Sequence, residues 1–379
     1  MRLTRRTFMM GTVAAASLPA ESWANPANEL LKARPASLQL LPERYPKTDI
    51  WGYAGAMPGP EIRVPQGGRV KMTLSNDLPE PTSTHWHGIR IDNAMDGVAG
   101  LTQEAVSPGS RFDYEFTVPD AGTYWYHSHN RSFEQVARGL YGALIVEEPV
   151  SMDVDREEVL ILDDWLIDPE SGQIAEGFGS PHSLSHAGRI GNFVGTNGSG
   201  ALVLDVRRHE RLRLRLINAS NARIFQLALA GLEGWVIALD GMPLSEPRRV
   251  SDGFQIGPAQ RYDLVVDVVA ETGDPAHLVR LERDGVVSQV GFEVSGKAAV
   301  KRRDAPMHLP PNGHSVVDLD TATSIDLRMD GGAMGGMRSA MMDGERRSMQ
   351  ELMQAQQFWA FNGAIGGIDG PPMAELSLG

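Results

Sequence analysis

The sequence of 379 residues contains no cysteine, which excludes both disulfide cross-links and thiolate metal sites. Positive charge is also scarce: 35 basic residues against 48 acidic ones give a net charge of −13, which argues against nucleic acid as a partner. Long hydrophobic runs are missing too, since the apolar stretch at residues 10–18 is far shorter than the roughly 20 residues that a membrane span needs. We therefore expect no nucleic acid partner and no membrane span.

The N-terminus is typical of an export signal. Arg5 and Arg6 stand together in TRRTFM, a modest apolar stretch follows, and the small residues Ser22 and Ala24 mark a cleavage position. Residues 1–24 thus resemble a bacterial twin-arginine signal. The alternative is a chance basic start before a membrane anchor, for which the apolar stretch is too short. We expect export by the twin-arginine machinery and a location in the periplasm.

Short strand-like runs dominate the rest of the chain. The 41 glycines and 24 prolines are spread along it, as is typical of turns in an all-β protein. Strands are predicted at residues 61–64, 69–74, 112–118, 142–146, 158–162, 202–206, 212–217, 225–228 and 264–268, and in the tail at 324–329, 358–363 and 374–378. Breaks near residues 147–155 and 294–321 indicate domains at 45–149 and 155–297 and a further segment at 322–379. The pattern predicts β-sandwiches.

Two His-x-His pairs form the most specific pattern in the sequence. His85 and His87 lie within THWHGIRI, and His127 and His129 lie within GTYWYHSHN. Side chains two residues apart on a strand point to the same side, so each pair directs two imidazoles into one cavity and turns the residue between them away. A lone histidine is more often a core or surface residue, but two such pairs beside aromatic residues predict a metal site. Four imidazoles suit Cu or Zn better than Mg or Ca.

The motifs around these histidines resemble the first cupredoxin domain of multicopper oxidases, the family of laccases and bacterial copper-efflux oxidases. The matching stretches are PGPEIRVPQGGRV, HWHGIRI, DGVAGLTQEAVSPGSRFDYEF, AGTYWYHSHN and GLYGALIVEE. Further along, RLRLINAS, ALDGMPL and IGPAQRYDLVVD resemble the second domain, and a methionine-rich stretch with FWAFNG resembles the opening of a third. The resemblance implies an all-β fold of tandem cupredoxin-like Greek-key β-sandwiches, two complete and a partial third at residues 322–379.

The resemblance also implies a role for each histidine. In that family, eight histidines from the first and third domains hold a trinuclear copper cluster. His85 would bind the type 2 copper, while His87, His127 and His129 would bind the type 3 pair. Asp96, eleven residues after His85, matches an acidic residue that feeds protons to the cluster during oxygen reduction. The alternative interpretation of Asp96 is an Asp-Gly turn.

The sequence departs from the family pattern in its third domain. The His-Pro-x-His-x-His-Gly and His-Cys-His motifs, which supply the other four histidines and the cysteine ligand of the type 1 copper, are absent. The remaining histidines form neither motif. His182 and His186 are four residues apart and would share a face of a helix, but their loop-like context predicts exposure to solvent. We expect a chain truncated within the third domain, without type 1 ligands and with half of the trinuclear cluster.

The final segment is rich in methionine, with seven of the 17 methionines in residues 329–353. Thioethers are soft ligands that favour Cu(I), so this stretch contains candidate ligands for cuprous ion, namely Met334, Met337, Met341, Met342, Met349 and Met353. The alternative is an apolar helix face, because the last three are spaced seven and four residues apart. Glycines among the earlier methionines argue against a long helix and for a mobile segment.

Three functions are consistent with the sequence. The first is a multicopper oxidase, expected to be a monomer when complete, that oxidises Cu(I) or phenolic and amine compounds and reduces O2 to water. The second is a non-enzymatic periplasmic cupredoxin scaffold or copper-binding protein, although a scaffold has no need of paired imidazoles. The third is a chain whose copper cluster is completed by a separate partner chain. The four histidines favour the first, with turnover by the chain alone not expected.

Overall fold

The computed structural model describes residues 29–313 and 318–366, which are predominantly β-structure. These residues contain 23 strands, three short α-helices and one 3-10 helix. None of these helices is long and apolar enough to cross a membrane. The predicted export signal and the predicted strand at 374–378 lie outside the described residues. Contacts divide the described chain into two compact units, one formed by residues 29–175 and 190–312 and the other by residues 176–189, 313 and 318–366.

Eight strands build the first β-sandwich of the larger unit. They are β1 (Glu29–Leu38), β2 (Thr48–Tyr53), β3 (Ile62–Pro65), β4 (Arg69–Asn76), β5 (Thr84–His87), β6 (Arg111–Thr117), β7 (Gly122–Ser128) and β8 (Tyr141–Glu147), with a 3-10 helix at Asn93–Met95 and helix α1 at Ser132–Gln135. They form two four-stranded sheets in the orders β2-β1-β4-β6 and β3-β8-β7-β5. Alternate apolar residues from both sheets meet in one core, which includes Val70, Phe116, Trp86 and Leu144.

Eleven strands build the second β-sandwich. They are β9 (Arg156–Trp165), β10 (Phe193–Thr196), β11 (Val203–Arg208), β12 (Arg211–Asn218), β13 (Phe225–Ala230), β14 (Leu232–Leu239), β15 (Met242–Arg249), β16 (Phe254–Ile256), β17 (Arg261–Val268), β18 (Ala276–Glu282) and β19 (Gly285–Lys297). A six-stranded sheet in the order β10-β9-β12-β17-β14-β15 faces a five-stranded sheet in the order β11-β19-β18-β13-β16. Their apolar faces share a core that includes Leu214, Leu264, Phe225 and Phe292.

The prediction of an all-β fold built from sandwiches is confirmed. Each of the nine strands predicted before residue 270 overlaps an observed strand, because alternating apolar residues there face a buried core. The first sheet begins at residue 29, ahead of the predicted domain start at residue 45. The domain boundaries themselves remain a prediction.

A buried ionic network fixes the strand that carries the second histidine pair to the second sandwich. Arg213 and Arg215 on β12 both donate to Asp263 Oδ2 on β17, at 2.6 and 3.1 Å, and all three side chains are almost fully buried. Asp263 Oδ1 accepts a hydrogen bond of 2.5 Å from Thr123 Oγ1 at the start of β7. Because buried charges persist only when they are paired and hydrogen-bonded, this network holds β7 in one position.

The smaller unit contains helix α2 (Pro181–Ser185), strands β20 (Met329–Gly331), β21 (Ser339–Met342), β22 (Glu345–Ser348) and β23 (Trp359–Phe361), and helix α3 (Met349–Gln354). Strand β20 pairs with β23, and β21 pairs with β22 in a hairpin. The sequence Ser348-x-x-Glu351 forms a capping box at the start of α3. Ala340, Leu352 and Ala360 form a small buried core.

Two expectations for this unit are corrected. The strand predicted at 324–329 begins only at Met329, because residues 324–328 are exposed and lie in no sheet. The methionine-rich stretch, expected to be mobile, forms the β21–β22 hairpin and the six-residue helix α3. Met337 and Met342 pack against the small core, whereas Met334 and Met353 are exposed. The alternative of one apolar helix face formed by Met342, Met349 and Met353 is wrong, because Met342 lies on strand β21 and Met353 is exposed.

Candidate metal centre

The two histidine pairs lie on neighbouring antiparallel strands. In the β5–β7 ladder, His85 stands directly opposite His127, and the intervening Trp86 stands opposite Tyr126. Trp86 is fully buried in the core of the first sandwich, 5.0 Å from the ring of Phe116 between centroids. The histidines therefore face away from that core, as the alternation of side chains along a strand requires.

Three of the four imidazoles converge closely. His85, His87 and His127 each offer a ring nitrogen, and these atoms all lie within 4.8 Å of one another. The Nδ1 atom of His87 is 3.2 Å from Nε2 of His127. His129 lies just beyond the end of β7, with its ring centroid 5.3 Å from that of His85 and 6.1 Å from that of His127. The structure thus brings all four predicted residues together, and their role as copper ligands remains a prediction.

Hydrogen bonds select which nitrogen of each ring is free. Nδ1 of His85 lies 2.7 Å from the carbonyl oxygen of Asp96, and Nδ1 of His127 lies 2.9 Å from the carbonyl oxygen of Ser128. A carbonyl can only accept, so both Nδ1 atoms carry a proton and both Nε2 atoms keep a lone pair. Nε2 of His127 therefore accepts a hydrogen bond of 3.2 Å from Nδ1 of His87, which places the proton of His87 on Nδ1 and its lone pair on Nε2.

Burial keeps these imidazoles neutral. It lowers the pKa of His87 to about 3, aided by the nearby charge of Arg261 and by the neighbouring histidines. Burial also lowers the pKa of His127 well below its ordinary value and lowers that of His85, although Asp96 partly opposes the shift at His85. Neutral imidazole is the form that binds a metal ion, so burial favours the binding form of these three side chains.

Asp96 lies beside His85, as its sequence position suggested. Its carbonyl accepts from Nδ1 of His85, and its carboxylate oxygen Oδ1 lies 3.3 Å from the same nitrogen. The following Gly97 has φ +77° and packs so closely that a Cβ would lie 1.8 Å from the carbonyl oxygen of Thr84. Asp96 ends the 3-10 helix Asn93–Met95 and its carboxylate lies beside a candidate ligand, so its role in proton transfer remains a prediction.

Two further residues shape the site and were not predicted. The ring of Trp125 lies 4.2 Å from that of His127 and 5.2 Å from that of His87, measured between centroids. Because Trp125 and His127 are two apart on β7, the alternation that grouped the histidines would also have placed Trp125 on their side. Arg261 is 4% exposed and packs against Gly88, where a Cβ would lie 2.1 Å from Nη2 of Arg261. No local signal indicates this contact, since Arg261 comes from the second sandwich.

The other histidine pair is not part of this cluster. His182 lies within helix α2 and His186 directly follows it, with ring centroids 4.2 Å apart, and both are exposed. The expected exposure is confirmed, but the expected loop is a short helix. Ser180 caps it through its side chain and Pro181 occupies its first turn, which are both signals that the sequence contains.

Comparison with known proteins finds multicopper oxidases and copper resistance proteins. Two multicopper oxidase domain models match residues 36–151 and 156–282. Copper resistance protein A of Pseudomonas syringae pv. tomato is 31% identical, in an alignment that covers 90% of this chain and 62% of that protein. The chain therefore spans less than two thirds of the length of this relative, and it spans 47% of multicopper oxidase MmcO of Mycobacterium tuberculosis.

Solved structures show the same relationship. Lac15 from a marine microbial metagenome is 44% identical with a TM-score of 0.68, over 76% of this chain and 73% of that one. A multi-copper oxidase from Pseudomonas thermotolerans is 36% identical with a TM-score of 0.73, over 80% of this chain and 71% of that one. Sequence, fold and the four clustered imidazoles agree, and the chain belongs to the multicopper oxidase family.

Proposed function

We propose that His85, His87, His127 and His129 bind copper and form half of a trinuclear centre. His85 would hold the type 2 copper, and the other three would hold the type 3 pair. The observation that carries this proposal is the convergence of three neutral imidazoles, with ligand atoms within 4.8 Å of one another. Nitrogen donors without carboxylate or thiolate suit copper, and the hydrogen bonds to backbone carbonyls leave a lone pair on Nε2 of His85 and of His127 to bind it.

The reaction that this centre supports best is oxidation coupled to the reduction of dioxygen. In the complete centre, bound copper supplies one-electron redox chemistry that couples oxidation of Cu(I), or of phenolic or amine compounds, to reduction of O2 to water. Because the sequence has no cysteine, it supplies no thiolate ligand for a type 1 copper, and the two motifs that carry the family's other four histidine ligands are absent from it. We therefore propose an oxidoreductase whose electron entry site lies outside this sequence.

The chain's own residues hold the ligands and supply a route for protons. The carbonyls of Asp96 and Ser128 fix the tautomers of His85 and His127, so that each ring presents a lone pair. The carboxylate of Asp96 is 31% exposed and lies 3.3 Å from Nδ1 of His85, which places it between solvent and a ligand. This position, open to solvent and beside a proposed copper ligand, supports the role of Asp96 as a proton donor.

The proposed location is the periplasm, after export by the twin-arginine route. It is supported by the paired arginines and the short apolar stretch in residues 1–24. That route carries folded proteins, which suits a protein that takes up its metal before or around export. The partners are then O2 and a small reductant or Cu(I).

The test is oxygen uptake and copper content of the protein purified from its own host. We expect copper to be bound and O2 to be consumed when Cu(I) or a phenolic reductant is supplied. His85→Ala/His127→Ala should abolish both copper at this centre and oxygen uptake. His277→Ala is the matched control, because His277 is half-buried on β18, contacts Ser288 and lies outside the cluster. Copper bound without oxygen uptake would contradict the oxidase and favour the copper-binding protein.

A further inference from the structure

A third pair of histidines lies at helix α2. His182 lies within the helix and His186 directly follows it, so the two side chains share one face. Their ring centroids are 4.2 Å apart, with planes inclined by 32°. Both side chains are exposed. Two imidazoles four residues apart on a helical face are a chelating arrangement for a transition metal ion.

The hydrogen bonds of His186 leave one ligand atom free. Its Nδ1 lies 3.1 Å from the carbonyl oxygen of His182 and 3.0 Å from Oγ of Ser185. Ser185 Oγ already donates to the carbonyl of Pro181 at 2.7 Å, so both of these oxygens accept from Nδ1. The neutral ring therefore carries its proton on Nδ1 and keeps a lone pair on Nε2. The ring is oriented by the helix backbone in the way that metal-binding histidines usually are.

A methionine stands beside this pair on a fixed turn. The backbone N–H of Ala333 donates to the carbonyl of Ser185 at 2.7 Å, which joins the residue before Met334 to the residue before His186. The turn closes with a hydrogen bond of 3.2 Å from Gly335 N to Gly332 O. Met334 occupies this turn with 95% of its surface exposed. The backbone at Met334 is therefore held close to the end of α2, and its thioether side chain makes little contact with protein.

The turn and the helix are also braced by a common residue. Nε1 of Trp359 donates to the carbonyl of Leu184 at 2.7 Å, and the ring of Trp359 packs on Gly332, where a Cβ would lie 2.5 Å from Cη2. Gly332 has φ +73° and leaves room for that ring. The relative placement of α2 and the turn is thus fixed by backbone hydrogen bonds and by packing.

We propose that His182, His186 and Met334 form a second copper site that binds Cu(I). Two imidazole nitrogens and one thioether sulfur make a soft donor set, which selects Cu(I) over hard cations such as Mg and Ca. The ligands are different residues from the four histidines of the first centre. The site takes a cuprous ion from solution, because all three ligand side chains are exposed.

The test is anaerobic titration of the protein with Cu(I) against a chromophoric Cu(I) chelator. His182→Ala/His186→Ala should bind one Cu(I) ion fewer than the wild type. Both side chains are exposed, so the variant should fold, which its circular dichroism spectrum will verify. Equal numbers of bound Cu(I) ions in the folded variant and the wild type would overturn the proposal. His85→Ala/His127→Ala should retain this site, so failure of the two centres can be distinguished.

Two methionine substitutions test Met334 as the third ligand. Met334→Leu should weaken Cu(I) binding at this site by about tenfold or more. Met353→Leu is the matched control, because Met353 belongs to the same stretch, lies on α3 and is 55% exposed. It should leave the affinity unchanged. Equal weakening by both substitutions, or by neither, would overturn the assignment of Met334.

Discussion

Asp263→Ala should destabilise the larger unit, because it removes the centre of the buried ionic network. Its carboxylate accepts from Arg213 at 2.6 Å, from Arg215 at 3.1 Å and from Thr123 at 2.5 Å. Removing one partner of a buried ion pair costs about 3–5 kcal/mol, because the other charge is left unpaired. Glu157 still contacts both arginines, at 3.2 and 3.0 Å, so we expect the lower end, about 3 kcal/mol.

The assay is urea unfolding followed by tryptophan fluorescence. A typical domain has a free energy of unfolding of about 5–15 kcal/mol, so a loss of about 3 kcal/mol should move the midpoint clearly. Asp252→Ala is the control, because Asp252 is exposed and should change stability by no more than about 0.5 kcal/mol. If Asp263→Ala lowers the free energy of unfolding by less than about 1 kcal/mol, the reasoning is refuted, because an exposed ion pair contributes that little.

The same network makes the stability of the larger unit depend on pH. Burial raises the pKa of Asp263, but the charges of Arg213 and Arg215 and the hydrogen bond from Thr123 outweigh it, and the pKa lies below its ordinary value. A carboxyl with a lowered pKa in the folded state contributes stability above its unfolded pKa of about 3.9 and loses it as the pH falls through the folded value. The stability difference between wild type and Asp263→Ala should therefore shrink below about pH 4. A difference that grows on acidification would contradict this.

Three further predictions concern the four-histidine centre. Gly97→Ala should lower copper affinity about 10–100-fold, measured by chelator competition, because its Cβ would meet the Thr84 carbonyl and move the Asp96 peptide from His85. Asp96→Asn should lower copper affinity less than about tenfold, because the backbone carbonyl of Asp96, which accepts the hydrogen bond from His85, is kept. Equal losses of affinity in the two variants would contradict this. Cu(II) should quench Trp125 fluorescence, since its ring lies 4.2 Å from His127, and Trp125→Phe should remove most of the quenching; unchanged quenching would place copper elsewhere.

Much of the fold and the clustering of the candidate ligands could be predicted because both depend on local periodicity. Alternation places every second side chain in the core, and the same rule puts His85 and His87 on the opposite face from Trp86. Alternation alone did not suffice at residues 324–328, where no neighbouring strand or core is present to stabilise a strand. A strand needs a partner, and sequence periodicity does not report whether one exists.

Contacts between distant segments could not be predicted from the sequence. Arg261 reaches Gly88 from the other sandwich, and only the folded arrangement of the two shows that a side chain at position 88 would clash with it. The role of Asp96 was only partly visible, because its backbone carbonyl, which every residue has, makes the shorter contact with His85. The helix at His182 could have been recognised from Ser180 and Pro181, which are common at helix starts.

The central claim is that the four histidines bind copper, and copper per chain after removal of excess metal tests it most directly. The wild type, His85→Ala/His127→Ala and the control His277→Ala would be loaded with copper in parallel, exchanged into metal-free buffer and measured by elemental analysis. The account predicts that the double variant loses at least one copper ion per chain, while the control matches the wild type. Equal copper content in all three folded proteins would contradict it.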